Sequence, residues 1–241
     1  MSDPIKHECG IAMIRLLKPL EYYQKKYGTC FYGLEKLYLL MEKQHNRGQD
    51  GAGVASIKFD VKPGSRYISL ERSNSTNSIG DIYKNINKEI KKALKKGNDK
   101  QKDVEWLKEN VRFCGELYLG HLRYGTFGKN NIEACHPFLR ENNWISRNLV
   151  LAGNFNLTNI DELFDLLIKI GQHPKDKSDT VTILEKIGHF LDEENARLYA
   201  DYKNNGYSKL EIASLIAHTL IFRSSETCLQ SWDGGYVISA A

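Results

Sequence analysis

The chain has 241 residues, of which 41% are hydrophobic and 27% are charged, an ordinary globular composition that fits one sizeable core or at most two small ones. Its formal net charge of +4 is too small an excess to indicate a nucleic-acid-binding protein, which needs basic residues clustered on one face. The first eight residues lack the apolar core of a signal peptide, and no apolar run approaches the ~18 residues that span a membrane, so we expect a cytosolic protein that binds neither nucleic acid nor membrane.

The residue pattern in the first half of the chain predicts several strands and a helix between them. An apolar run that begins at Gly10 is typical of a buried strand, and the spacing of apolar residues predicts a helix over residues 31–44. The glycine-rich segment RGQDGAG, which starts at Arg47, predicts a loop. Two alternating segments between Val54 and Ser73 then predict an antiparallel pair of strands.

An amphipathic helix follows the strand pair. Apolar residues at every fourth position predict it over residues 82–94, with Gly97 as its C-terminal stop. Lysines occupy its other faces, and because no aromatic residues interleave with them they indicate a solvated surface rather than a polyanion-binding patch. The polar segment GNDKQKD predicts a loop, and the segment CGELYLGHLRYGTFG, from Cys114, predicts a strand that ends in a turn.

The second half predicts helices between two strands. Strands are predicted over residues 148–153 and 234–239. Three helices are predicted, each behind an N-terminal capping residue: Asn159, Ser178 and Ser208. Gly171 ends the first helix, and Glu211 completes a capping box with Ser208. Because turns rather than regular crossover helices separate neighbouring strands, the sequence predicts an α+β layered fold with antiparallel sheets.

The five cysteines are scattered, and none lies in a C-x-x-C pair. They are Cys9, Cys30, Cys114, Cys135 and Cys228. This spacing indicates reduced thiols rather than a zinc site or a disulfide framework, so we expect no metal and no cofactor in this part of the protein. Taken alone, Cys9 before a strand would be a small buried hydrophobe.

Other segments change that interpretation of Cys9. The sequence Cys9-Gly10-Ile11 is followed, in order, by RGQDGAG from Arg47, GHLRYGTFG from Gly120, LAGNFNLTN from Leu151 and KSDT from Lys177. With these motifs the chain resembles the class II glutamine amidotransferase domain, the N-terminal-nucleophile glutaminase, and most of all that of amidophosphoribosyltransferases in purine synthesis. The resemblance runs from Cys9 to about Tyr236, apart from a divergent stretch over residues 60–112. One such motif alone is a weak signal, whereas this order and spacing are specific.

The resemblance implies a four-layer α-β-β-α sandwich of antiparallel sheets. It also implies hydrolysis of glutamine to glutamate and ammonia, with Cys9 as the nucleophile and its own α-amino group as the base. That amine exists only if Cys9 is the first residue of the mature chain, so residues 1–8 are predicted to be a propeptide that is cut between Glu8 and Cys9. The ammonia would pass to phosphoribosyl diphosphate.

The resemblance also assigns site residues. The oxyanion donors would be the side-chain amide of Asn154 and the backbone N–H of Phe155. The family usually reads His-Asn-Gly-Asn here, whereas this chain reads Gly153-Asn154-Phe155-Asn156, and a positive φ at Phe155 would be strained. The remaining residues would bind glutamine: Arg123 its carboxylate, Asp179 its ammonium group, and Thr126 and Gly128 as pocket lining. The segment from Arg47 to Asp50 would be a structural loop beneath them.

Three alternatives remain open. Asparagine synthetase and glutamine–fructose-6-phosphate aminotransferase share the class, although the sequence RGQD favours the purine enzyme. A catalytically silent glutamine-binding or scaffold fragment is the third alternative. Family members continue with more strands and a phosphoribosyltransferase domain, whose diphosphate-binding loop has no counterpart here. We therefore expect residues 9–241 to be an incomplete domain that works with such a partner domain, and we leave a homo-oligomer open.

Overall fold

The predicted strands form two antiparallel sheets. The computed structural model describes residues 9–125, 131–217 and 231–241 and divides the chain into two units, Met1–Pro137 and Phe138–Ala241. Each unit contains one sheet with helices packed against it. The predicted combination of helices with antiparallel sheets is confirmed, and the four-layer sandwich stays a prediction.

The sheet of the first unit has the strand order β1-β4-β2-β3, with every neighbouring pair antiparallel. Its strands are β1 (Gly10–Arg15), β2 (Ala52–Ile57), β3 (Ile68–Ser73) and β4 (Leu117–Leu122). The register pairs Leu122 with both Gly10 and Ala52. The start of β1, the start of β2 and the end of β4 therefore lie side by side, at the same end of the strands.

Helices cover this sheet and contribute its core. They are α1 (Leu20–Tyr27), α2 (Tyr32–Lys43), α3 (Ser78–Gly97) and α4 (Val104–Asn110). The buried side chains of Leu37 and Met41 in α2 share one hydrophobic cluster with Ile82 and Ile86 in α3. The predicted amphipathic helix is thus confirmed, and it begins four residues earlier than its apolar period indicated.

Gly97 is the last residue of α3, but it does not end the helix as a glycine cap. Its φ of −79° is right-handed, so it is not the left-handed cap that a terminal glycine usually supplies. A Cβ atom at this position would overlap the ring of Trp106 in α4. The sequence prediction of a plain polar loop here was incomplete, because a short 3₁₀ helix (Asn98–Lys102) and then α4 follow Gly97.

The second unit holds the other sheet, in the order β5-β6-β7. Its elements are β5 (Phe138–Arg140), β6 (Leu149–Leu157), α5 (Ile160–Lys169), α6 (Asp179–Asn204), α7 (Lys209–Ala217) and β7 (Gly234–Ala240). Leu163 of α5 and Ile183 of α6 pack with Leu151 of β6 in the core of this unit. Among the helices of the described ranges, none combines the length and apolar character that crossing a membrane requires.

Two of the three predicted helix caps form. The Ser178 hydroxyl accepts the backbone N–H of Val181 at 3.4 Å, and the backbone N–H of Ser208 donates to Glu211 Oε2 at 2.9 Å. Asn159 precedes α5 as predicted but does not cap it with its side chain. That side chain instead donates to the carbonyl of Ser231 at 2.8 Å and accepts the backbone N–H of Asp233 at 3.1 Å, because the chain approaching β7 lies beside it.

Candidate functional site

Cys9 lies at the end of the first sheet where β1 begins and β4 ends. Gly10 pairs with Leu122, so the residues just beyond this pair, Cys9 and Arg123 with Tyr124, are neighbours. The backbone N–H of Tyr124 donates to Cys9 Sγ at 3.4 Å, and the sulfur lies 4.0 Å from the carbonyl oxygen of Tyr124. Cys9 is half-buried and forms no disulfide within the described part of the chain. The backbone of Tyr124 thus offers the sulfur both a hydrogen-bond donor and an acceptor.

The loop after Arg47 holds the chain that follows β4. The backbone N–H of Asp50 donates to the Arg123 carbonyl at 3.0 Å, and the N–H of Arg123 donates to the Gly51 carbonyl at 2.8 Å. The Asp50 carboxylate also accepts the N–H of Gly125 at 2.8 Å. A Cβ atom on Gly48 would lie 2.6 Å from the carbonyl oxygen of Leu122, so only glycine allows this close approach. These contacts agree with a structural role for the loop.

Arg123 is a buried cation beside a neutral histidine. Only 7% of the Arg123 surface is exposed. Burial lowers the pKa of His136 well below its usual value, and the neighbouring His121 and Arg123 lower that pKa further. The rings of His121 and His136 lie 4.4 Å apart. His136 is therefore uncharged at neutral pH, whereas the guanidinium of Arg123 carries a positive charge that suits a carboxylate.

Asn154 and Phe155 both lie in β6, opposite Val237 and Tyr236 of β7. Val150 exchanges two backbone hydrogen bonds with Ala241, at 2.7 and 2.9 Å, and hydrogen-bonded pairs alternate along an antiparallel ladder. By this alternation Asn154 occupies a hydrogen-bonded position and Phe155 does not. The backbone N–H of Phe155 is therefore directed away from β7.

Phe155 adopts ordinary strand geometry. Among the described residues other than glycine, a positive φ occurs only at Asp60, Asn98 and Phe113, so the strain considered for Phe155 does not arise. The Phe155 ring folds back over Gly153, where a Cβ atom would overlap it. A glycine at position 153 thus makes room for the large side chain at position 155.

Asp179 is the first residue of α6, directly after the capping residue Ser178. It is half-buried, and burial raises the pKa of its carboxyl group, while a backbone hydrogen bond acts in the opposite direction. The N-terminal end of a helix favours a negative side chain. Asp179 thus lies where the helix itself stabilises a negatively charged side chain.

The structure brings only some of the predicted site residues together. It places Cys9, Arg123 and the loop through Asp50 together, and it places Asn154, Phe155 and Asp179 in the second unit. Thr126 and Gly128 lie outside the described residues. The contacts made by Tyr124 and His136 were missed, because they join segments far apart in the chain and no local pattern marks either residue.

Comparisons with known proteins point to one family of enzymes. No protein-family model matches the chain. It is 25% identical to the amidophosphoribosyltransferase of Haemophilus influenzae over 159 residues, covering 66% of this chain and 25% of that protein. It is 30% identical to the amidophosphoribosyltransferase of Archaeoglobus fulgidus over 157 residues, covering 65% of this chain and 27% of that protein. The solved glutamine phosphoribosylpyrophosphate amidotransferase of B. subtilis is 21% identical, with a TM-score of 0.47, and the match covers 97% of this chain and 35% of that one.

The chain spans about a quarter of the length of the curated relatives that it matches. The motifs predicted this resemblance from their order, and the curated sequences confirm it. Over about two thirds of its length, this chain is similar in sequence to the amidophosphoribosyltransferases.

Proposed function

We propose that this chain hydrolyses the side-chain amide of glutamine to glutamate and ammonia, with Cys9 as the nucleophile. The observation that carries the proposal is the position of the Cys9 sulfur at the start of β1. There the sulfur is half-buried and accepts the Tyr124 N–H at 3.4 Å, and the buried Arg123 directly precedes Tyr124 in the chain. The similarity to amidophosphoribosyltransferases supports the same reaction.

The chemistry proceeds by nucleophilic catalysis. The α-amino group of Cys9 accepts the thiol proton, and the sulfur attacks the amide carbon of glutamine. Asn154 and the Phe155 N–H stabilise the oxyanion that forms. Ammonia leaves with a proton from the amine, and water then hydrolyses the thioester to release glutamate. The ammonia would be delivered to phosphoribosyl diphosphate in an associated phosphoribosyltransferase domain.

Glutamine binding requires one cation and one anion, because the amino acid is a zwitterion. Arg123 would bind its carboxylate with the two parallel N–H groups of the guanidinium. Asp179 would bind its ammonium group, with Thr126 and Gly128 lining the pocket. A glutaminase assay on protein that begins at Cys9 tests the whole proposal: glutamine binding by calorimetry without release of glutamate would favour the silent binding fragment instead.

We expect Arg123→Lys to raise KM for glutamine by roughly 10–100-fold and to change kcat by less than about threefold. Lysine keeps the charge but loses the bidentate geometry, which contributes equally to the bound substrate and to the transition state. Steady-state kinetics of glutamate release measure both constants. Arg15→Lys, at the other end of β1, is the matched control. A fall in kcat as large as the rise in KM would rule out a simple carboxylate clamp.

We expect Asn154→Ala to lower kcat by roughly 10²–10³-fold with little change in KM. The side-chain amide would donate to an oxygen that carries charge only in the transition state, so its loss affects the chemical step. Single-turnover measurement of glutamate release checks this. Asn156→Ala is the control, since Asn156 is two residues further along the same strand and on the same face. Equal losses in both variants would indicate a general disturbance of β6.

A further inference from the structure

Two cysteines from distant parts of the chain meet in the core of the first unit. Cys30 lies in the turn between α1 and α2, and Cys114 lies shortly before β4, 84 positions later. Their sulfur atoms are 3.4 Å apart. Their exposed fractions are 1% and 0%, respectively. A disulfide bond is about 2.05 Å long, so the two sulfurs need to approach by only about 1.3 Å to form one.

Local hydrogen bonds hold the chain on both sides of this pair. The backbone N–H of Phe31 donates to Thr29 Oγ1 at 3.0 Å. The backbone N–H of Gly115 donates to the Tyr118 hydroxyl at 3.1 Å, and that hydroxyl donates to the Phe113 carbonyl at 3.1 Å. The two cysteines also belong to one hydrophobic cluster. The proximity of the sulfurs is therefore set by the packed core of the unit.

The surroundings make the two thiols unequal. The Cys114 thiol donates to Cys30, and this hydrogen bond lowers the pKa of Cys30 and raises that of Cys114. Lys58, which is only 3% exposed, interacts electrostatically with Cys114, and burial lowers the pKa of this lysine. Cys30 is thus the better nucleophile, and Cys114 is the neighbouring thiol that can resolve its oxidised form.

We propose that Cys30 and Cys114 are an oxidative modification site, at which a peroxide converts the dithiol into an intramolecular disulfide. The Cys30 thiolate attacks one peroxide oxygen, the O–O bond breaks, and the product is a sulfenic acid and one water. The Cys114 sulfur then attacks the Cys30 sulfur, the S–S bond forms and the S–O bond breaks. The second water leaves with the Cys114 proton. Two thiols lose two electrons in total, and one hydrogen peroxide is reduced to two waters.

This site is separate from Cys9. Cys9 precedes Gly10, which pairs with Leu122, whereas Cys114 precedes β4 at the end where Leu117 pairs with Arg15. The length of the strands between these ends is roughly 20 Å. The disulfide would link the turn before α2 to the segment before β4, and Cys9 would take no part in it. The inference does not rest on the proposed glutaminase activity, and its test requires no activity measurement.

The test is peptide mapping of the full chain carrying Cys9→Ala, so that the proposed nucleophile does not compete for the oxidant. The reduced protein is treated with hydrogen peroxide, alkylated and digested with trypsin without reductant. We expect peptide 27–36 to be joined to peptide 113–123, the intact mass to fall by two hydrogen atoms, and dithiothreitol to reverse both changes. Because the bond closes a long loop, we expect the unfolding midpoint to rise by roughly 5–15 °C.

Matched variants separate this pair from other buried thiols. Cys30→Ala and Cys114→Ala should each abolish the linked peptide and the rise in midpoint, whereas Cys135→Ala, also at a buried position, should keep both. If a single variant does not fold, the peptide map of the parent protein decides. Two thiols that stay reduced, or that become sulfinic or sulfonic acids without a linked peptide, would overturn the proposal.

Discussion

The Cys9→Ala variant is expected to lose glutamine hydrolysis by at least about 10⁴-fold while it still binds glutamine. Removing the sulfur removes the atom that attacks the amide, and no other group in the proposed mechanism replaces it. Binding survives because Arg123 and Asp179, not the thiol, would bind the charged groups of the substrate. Release of glutamate measures the first effect, and calorimetry with glutamine measures the second.

Two controls make this result specific. Cys135→Ala removes a different thiol of the first unit, whose Sγ lies 3.7 Å from the carbonyl oxygen of Ser73, and it should leave turnover within about twofold of the parent protein. The thermal midpoint of Cys9→Ala should stay close to that of the parent, since the sulfur is only half-buried. If Cys9→Ala retained turnover, a different nucleophile would have to be sought.

A protein in which residues 1–8 stay attached is expected to be at least about 10²-fold less active than one that begins at Cys9. In a Glu8–Cys9 peptide bond the nitrogen is an amide and cannot accept the thiol proton. A free α-amino group has a pKa of about 7.7–8.0 and accepts a proton near neutral pH. Because only the neutral amine acts as a base, activity of the processed protein should fall as the pH drops below this range.

This prediction can be tested on one preparation. Residues 5–8 are replaced by the sequence Ile-Glu-Gly-Arg, so that a site-specific protease frees Cys9 as the first residue on demand. Glutamate release is measured before and after cleavage, with intact mass to follow the new terminus. The same preparation carrying Cys9→Ala controls for the protease itself. Equal activity before and after complete cleavage would exclude the α-amino group as the base.

Local patterns predicted many of the elements and failed where distant segments intervene. The fourfold spacing of isoleucines predicted α3, and Ser178 and Ser208 predicted the starts of α6 and α7, because these signals act within one or two helical turns. Asn159 carries the same capping signal, yet Ser231 and Asp233 bind its side chain. The short helices α1 and α4 were missed, since each spans only about two turns.

The order of short motifs around Cys9 is visible in the sequence alone, and it predicted both the family resemblance and the residue types of the site. The contacts between distant residues became visible only in the folded chain. The pairing of β1 with β4 brings Tyr124 to the Cys9 sulfur across 115 positions, and the packed core brings Cys114 to Cys30 across 84. The strand conformation of Phe155 likewise became clear only from the structure. The physical reason is that register and core packing are set by contacts between segments far apart in the chain, which local periodicity does not contain.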